Sequence, residues 1–371
     1  MSHDSRSAAT RQGKILNYFQ IFPPVSKTGF FEIESCLCIR DNCRVNKYSI
    51  ILFTLFLGAF TLSSHATPGA DKEENPWYLF TSFRDNGQDG LHLSLSNDGY
   101  GWTPLNGDKS YLKPTVGGKL MRDPAIARGP DGVFHMVWTS GWTAKEAKMF
   151  GYASSTNLID WSPQKGIPVM QNEPKARNIW APELFCDSKE KLWYIFWSTT
   201  VTGKFPDETG VSEDQYNHRA YYVTTRDFET FSESKLYFDP GFNIIDATMA
   251  QDGERYLLVF KDERLNPVKK NLRMATAQSP AGPFTDVSEP FTLSWVEGPS
   301  LLKVGDTWFC YFDHYASPHY YGAVRSKDLK NWEDCSKEMK FPAGHRHGTV
   351  IQIDSTIAKG LLEQQKENDT Q

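Results

Sequence analysis

The chain has 371 residues, with 40 Lys and Arg against 45 Asp and Glu, so its formal net charge is −5. That balance argues against a polyanionic partner such as nucleic acid. The length is enough for one large β domain or two smaller domains after any leader is removed. Aromatic residues are 14% of the chain, which suits a thick β core.

Ser49 to Leu62 is an apolar run of 14, preceded by Arg40, Arg44 and Lys47 and followed by the small-x-small pattern Ser64-His65-Ala66. It reads as a signal-peptide h-region, because a membrane span needs about 20 apolar residues. The expectation is therefore a leader over residues 1–66, export to a periplasmic or extracellular location, and no membrane span after cleavage. The segment from Thr67 to Gln371 is then the working domain. Seven basic and four acidic residues lie in the leader, which leaves that domain with a balance of −8. It keeps Cys186, Cys310 and Cys335, an odd number for a disulfide framework. Cys310, inside a predicted strand, reads as a small apolar core residue.

One pattern recurs five times: an alternating strand, then Ser or Thr, a polar residue, Asp or Asn, and a closing aromatic. The copies end at Trp102, Trp161, Phe231, Phe284 and Trp332, at intervals of 59, 70, 53 and 48 residues. Each is preceded by a hydrophobic strand, at 77–80, 134–138, 192–197, 256–260 and 308–312. Repeats of about 50 residues made of strands, without helical periodicity, predict an all-β fold, a five-bladed β-propeller of four-stranded blades. A β-sandwich is the competing architecture. The piece from Pro76 to Trp102 is expected to share a blade with the C-terminal strands and close the ring. The polar tail from Gly360 reads as a frayed end.

Three acidic turns precede three of the hydrophobic strands: Arg122-Asp123-Pro124, Ile245-Asp246-Ala247 and Glu297-Gly298-Pro299. Asp123, Asp246 and Glu297 are expected at equivalent places in three blades, where a radial fold aims all of them at the axis. Two carboxylic groups flanking a glycosidic bond can divide the labour, one protonating the leaving oxygen and one activating water. Taken singly, each acid reads equally well as a turn cap.

With Trp180-Ala181-Pro182-Glu183-Leu184 and Arg346-His347-Gly348-Thr349, these turns form a series that resembles glycoside hydrolase family 43. That family comprises five-bladed propeller enzymes acting on arabinose- and xylose-containing glycans. The likeness runs from about Trp77 to Ile353. It implies an inverting, exo-acting hydrolase of α-L-arabinofuranosidase or β-xylosidase type, with an oligosaccharide or polysaccharide substrate. Asp123 matches the general base, Asp246 the acid that tunes and orients, and Glu297 the general acid. The Arg-Asp-Pro turn also occurs in related fructan-cleaving enzymes, but their Asn-Asp-Pro-Asn and Glu-Cys motifs have no counterpart here. The same fold and chemistry on a galactose-type sugar, or a sugar-binding propeller without turnover, are the alternative functions.

Other residues are candidates by position. Trp180, Trp138 and Trp142 are expected to wall the pocket, and Lys261, Glu183, Arg346 and His347 to contact substrate. No cofactor is required. The resemblance allows a structural calcium ion near the axis with His347 as its candidate ligand, although the chain shows no acidic loop of calcium-binding type. The segment from Ser198 to Asn217, rich in Gly, Pro and acid, is expected beside the cleft.

Overall fold

The structure is a computed structural model that describes residues 76–206 and 210–369. The expected leader and its signal peptide lie outside the described residues. Five antiparallel sheets follow one another along the chain. The first contains β1 (Trp77–Arg84), β2 (His92–Ser96) and β3 (Thr103–Pro104). The second runs β4 (Arg122–Arg128), β5 (Phe134–Thr139), β6 (Met149–Ser155), β7 (Lys165–Pro168). The third runs β8 (Trp180–Asp187), β9 (Leu192–Thr199), β10 (Arg219–Thr225), β11 (Lys235–Phe238). The fourth has β12 (Ile244–Asp252), β13 (Arg255–Asp262) and β14 (Asn271–Ala277), and the fifth has β15 (Val296–Val304), β16 (Thr307–His314), β17 (Tyr320–Ser326) and β18 (Glu333–Asp334). Finally β19 (His345–Arg346) and β20 (Val350–Ile353) return to pair with β1. The protein is a five-bladed β-propeller whose ring is closed by its two chain ends, as Pro76 to Trp102 led us to expect.

The five hydrophobic runs are β1, β5, β9, β13 and β16, each with a strand bonded on both sides, which explains why they read as nearly continuous apolar stretches. The recurring Ser/Thr-x-Asp/Asn pattern closes the strand after each run. In the second blade Ser155 Oγ accepts the Leu158 N–H and Asn157 Oδ1 accepts those of Ile159 and Asp160. Thr225 with Asp227, and Ser326 with Asp328, make the same set. The residue after the acid or amide has left-handed φ, from 55° at Phe228 to 78° at Gly99. The motif is thus a side-chain-capped turn, and its repetition marks the blades. The fourth blade lacks the acid, and beyond β14 it has no fourth strand among the described residues, but a bridge between Thr276 and Thr285 and backbone bonds from Ser288 and Phe291 to β14.

The innermost strands β4, β8, β12, β15 and β20 pack side by side around the axis. Each carries one extra residue at the same place. Arg122 pairs with Thr139 and Ala125 with Val137, so three steps on β4 face two on β5. The same slip separates Trp180 from Glu183, Ile245 from Thr248 and Glu297 from Ser300. Across the closure, Arg346 pairs with Phe83 and Val350 with Phe80. Aligning the bulges corrects one expectation: Asp123 and Asp246 are equivalent, but Glu297 stands one place earlier, level with Arg122, Trp180, Ile245 and Arg346. The position of Asp123 is filled in the other blades by Ala181, Asp246, Gly298 and His347.

Apolar clusters fill the spaces between blades. Cys310 lies in one of them and is fully buried. Trp138 is in another, with Leu79, Ile126 and Leu361, and it too is fully buried. A Cβ on Gly151 would stand 2.0 Å from the Trp138 ring, so the glycine is what admits the indole. Trp138 is therefore a core residue and not a pocket wall.

The tail departs from expectation as well. Residues Ser355–Asp369 form a helix, α1, with Asp354 Oδ1 accepting the Ile357 N–H at its start. Ala358 and Leu361, three apart on one helix face, are fully buried against the first and second blades. The charged residues on the remaining face gave the segment its disordered appearance. Leu361→Ala should lower the unfolding free energy by about 2–4 kcal/mol, and an unchanged urea midpoint would show that α1 contributes nothing to the core.

Candidate active site

The bulges decide where the acids point. Asp123 (φ 53°) and Asp246 (φ 51°) are held in the left-handed region, as is Gly298 (φ 56°). A non-glycine residue adopts that conformation at a cost, which marks these as positions the surrounding sheet determines. Asp123 and Asp246, together with Glu297, line a cleft of about 180 Å³, whose walls include Arg122, Trp142, Trp180, Lys261 and His347. Below it, a small axial void is bounded by the next residues of the inner strands, among them Pro182, Glu183, Pro299 and Thr349.

His347 sits at the centre. Its Nε2 lies 2.9 Å from Asp123 Oδ1, and its Nδ1 is 3.2 Å from Asp313 Oδ2 and 4.0 Å from Glu297 Oε1. A side chain on Gly298 could not coexist with this ring, since its Cβ would fall 2.1 Å from His347 Cγ. Burial disfavours the charged imidazole, but Asp123 and Asp313 outweigh it and raise the His347 pKa to about 10. His347 is an imidazolium with a carboxylate on each nitrogen.

The remaining charges follow from this cation. Burial would raise Asp123, yet His347, Arg122 and the Thr139 hydroxyl, which donates to Asp123 Oδ2 at 2.6 Å, bring it down to about 2. Glu297 bonds to Lys261 Nζ at 3.0 Å and to Arg346 at 2.6 Å. Its burial is outweighed by Lys261, His347 and Arg346, so it lies below its ordinary value. Asp246 has no such cation in direct contact. It accepts the Gly298 N–H at 3.1 Å, and burial with the nearby charge of Glu297 raises it to about 7. The charge of one acid thus bears on the other, Asp246 lying above and Glu297 below its ordinary value.

Asp313 and Arg122, whose roles sequence reasoning missed, and Glu263, beside the predicted Lys261, complete the network. Asp313 is fully buried, pairs with Glu297 in the β15–β16 register, and bonds Arg346, His347 and His319. It hides at the end of an apolar strand, with no turn signal to flag it. Arg122 lies flat between Phe83 and Trp142, 4.7 and 4.5 Å from their ring centres. Glu263 joins Lys261 to Lys270.

Of the expected wall residues, Trp142 and Trp180 do line the cleft. They meet edge to face, and the Trp180 indole donates to the Trp142 carbonyl at 2.9 Å. Tyr216, from the segment beginning at Ser198, packs on Trp180 at 4.6 Å, so that segment does reach the cleft. Glu183 lies lower, in the axial void, beside Thr248 and Thr349, where burial raises it to about 8. It is a neutral acid at pH 7 and stands away from the cleft.

Calcium takes six to eight oxygens. Here Asp123, Asp246 and Glu297 are each already bonded to a cation or donor, and Glu183 is neutral. Both ring nitrogens of His347 face carboxylates, Nε2 toward Asp123 at 2.9 Å and Nδ1 toward Asp313 at 3.2 Å. As placed, these side chains bond one another and do not present a set of six oxygens to one calcium ion. Among the described residues, Glu297, Asp313 and His347 form one of two clusters of His and acid with donor atoms close together.

The sequence model of the family-43-related glycosyl hydrolases, described as "Probable glycosyl hydrolase domain", matches residues 73–357. The chain belongs to that family. Within known proteins it is 27% identical over 206 residues to an alpha-L-arabinofuranosidase of Bifidobacterium longum subsp. longum, covering 53% of this chain and 18% of that protein. The chain thus spans less than a fifth of the length of the curated relative it matches. Among solved structures, an alpha-L-arabinofuranosidase from Lactobacillus brevis aligns with TM-score 0.47 and 18% identity over 58% of this chain and 72% of that one. An exo-beta-1,3-galactanase from Phanerochaete chrysosporium aligns with TM-score 0.46 and 12% identity, over 62% and 52% of the two chains.

In this family-43-related site the cation at the hub has a measurable role. His347→Gln leaves Asp123 and Asp313 buried against a neutral amide, and removing one partner of such a network costs about 3–5 kcal/mol. Because the folded pKa of His347 is raised, its stabilisation is present in full below about 6.5 and is lost as the pH rises toward 10. Thermal melts of wild type between pH 6 and pH 10 should approach those of the variant as pH rises; parallel curves would show that His347 is neutral.

Proposed function

We propose that the protein hydrolyses a terminal sugar from a glycan by single displacement with inversion. Asp123 acts as general base, Glu297 as general acid, and Asp246 holds the proton that the acidic pair shares. The observation that carries this reading is the arrangement of acids around one imidazole in a single cleft: Asp123 on one ring nitrogen, Glu297 4.0 Å from the other, and Asp246, raised to about 7, lining the same cleft. An ionised base and a protonated acid are what the reaction requires at neutral pH. The shared proton rests on Asp246, so Glu297 receives it when a substrate oxygen draws on Glu297. The imidazole ring between the two acting carboxyl groups supports the wider spacing of inverting enzymes, about 6.5–9.5 Å.

The cleft of about 180 Å³ is below the roughly 300–1,000 Å³ of clefts for drug-sized ligands. It suits one sugar ring held against Trp142 and Trp180, which favours exo action. The arabinofuranosidase relative supports an α-L-arabinofuranoside as substrate, with β-xylosides and galactose-type sugars as alternatives on the same machinery. We also propose export directed by Ser49–Leu62, which N-terminal sequencing of the secreted protein tests.

A panel of aryl α-L-arabinofuranosides, β-xylosides and β-galactosides should reveal turnover by the wild type. Asp123→Asn and Glu297→Gln should each lower kcat by about 100-fold or more with KM little changed. Near-normal turnover in either variant removes that acid from the mechanism, and binding without turnover in the wild type favours a lectin. Proton NMR should show the inverted anomer first.

The pH profile separates the two acids. Activity needs the shared proton, so kcat/KM should fall as the pH rises through about 7. Asp246→Asn leaves Glu297 alone with Lys261 and Arg346, which hold its pKa down, and the falling limb should move to lower pH. An unmoved limb would mean that Asp246 holds no part of the proton.

A further inference from the structure

A second cluster of His and acid lies away from the cleft, where the first blade is closed by the returning chain. His92 on β2, Asp108 in the turn Asn106–Asp108 and His345 on β19 bring donor atoms to one point. His92 Nδ1 is 3.5 Å from Asp108 Oδ1, and His345 Nε2 is 2.9 Å from the same oxygen. Both rings are buried, each about 2% exposed.

The far side of each ring is already held. His92 Nε2 lies 2.8 Å from Asp89 Oδ2. His92 Nδ1, on the other side of the ring, is buried without a hydrogen-bond partner and faces Asp108 Oδ1 at 3.5 Å. His345 Nδ1 lies 2.8 Å from Ser82 Oγ, so the outer nitrogen of this ring is held as well and Nε2 faces the same point. Arg84 bonds the other oxygen of Asp108, Oδ2, at 3.1 Å and leaves Oδ1 toward the imidazoles.

We infer that His92, Asp108 and His345 form a binding site for a divalent transition-metal ion of zinc type, at the seam that closes the propeller. Imidazole nitrogen and carboxylate oxygen suit zinc, with metal–ligand bonds of about 2.0–2.2 Å. At tetrahedral angles such bonds set the donors roughly 3.3 Å apart, close to the two separations found. Asp89 and Ser82 supply the outer hydrogen bonds that usually fix the orientation of ligating histidines. Three protein ligands leave a fourth place for water. The ion would join residues 253 positions apart and reinforce a β1–β19 pairing of only two residue pairs, Phe83 with Arg346 and Arg84 with His345. It would thereby anchor the segment that carries Arg346 and His347 into the cleft.

The test uses the full mature chain, freed of any histidine tag and stripped with chelator, then supplied with zinc chloride. One zinc per chain should survive gel filtration, and zinc at about 100 times its dissociation constant should raise Tm by roughly 3–8 °C. Cobalt chloride should give the visible d–d bands of a low-coordinate nitrogen and oxygen site. Asp108→Asn and His92→Gln, neither in the cleft, should keep the metal-free Tm near wild type while losing the zinc response and the cobalt bands. The inference is overturned if the wild type retains no zinc and shows neither shift nor bands. It is overturned equally if both variants respond as the wild type does, since the ion would then sit elsewhere, as at Glu297, Asp313 and His347. Should either variant not fold, the wild-type stoichiometry and cobalt spectrum alone decide.

Discussion

One extra residue in each innermost strand is the constraint on which the site depends. A regular strand alternates its side chains between two faces, so neighbouring residues cannot both look along a propeller axis. The bulge breaks this alternation in all five blades at the same height and gives four consecutive residues access to the hub. The first of them, Arg122, Trp180, Ile245, Glu297 and Arg346, stand level with the cleft. The second, Asp123, Ala181, Asp246, Gly298 and His347, meet nearer the axis. The last, Ala125, Glu183, Thr248, Ser300 and Thr349, are level with the void beneath. The geometry is close to five-fold, but the chemistry placed on it is not.

That asymmetry solves an electrostatic problem. Asp123, Glu297 and Asp313 crowd together out of bulk water, where like charges would force some of them to take up protons. His347, Arg346 and Lys261 interleave with them, so each ionised acid touches at least one cation. Asp246 is the exception: its direct partner is a backbone N–H, and it alone of the cleft acids is pushed toward neutrality. Placing the acid that should keep its proton beyond direct contact with the cations, and the acid that should not against an imidazolium, pushes two carboxyl groups in opposite directions from their ordinary value within one small cleft.

The sequence made the blades legible because each repeat ends in a turn capped by its own side chains, and such turns require Ser or Thr and Asp or Asn at fixed offsets. Asp123 and Glu297 were visible through the Pro and Gly that accompany their bulges, and Asp246, whose bulge has neither, through its place ahead of a hydrophobic strand. Their register was not, since a bulge moves a residue by one place without altering the local pattern, and so Glu297 seemed equivalent to Asp123 and Asp246. Asp313 was hidden for the opposite reason: it ends a strand that otherwise reads as pure core. Trp138 misled because an indole beside glycine fits a pocket wall as well as a blade interface, and only the position of Gly151 across the sheet distinguishes them. The helix α1 was obscured by its charged face, although Ala358 and Leu361 already carried the spacing of a docked helix.

The closure of the ring bears on the same site. In the other four blades the innermost strand is joined to its neighbour by a short hairpin, so its bulge is fixed by local chain geometry. In the first blade β19 and β20 come from the far end of the chain, and their bulge, which presents Arg346 and His347, is held only by pairing to β1 and by side chains. Thr81 contributes: its hydroxyl accepts the Thr349 N–H at 2.8 Å and reaches the Pro124 carbonyl of the next blade. His345 contributes through Ser82 and Asp108. The hub cation is therefore carried by the blade whose inner strand owes least to local sequence. Ring closure and the placement of His347 between Asp123 and Asp313 therefore rest on the same returning segment, which ties the charge state of the cleft to the closure of the fold.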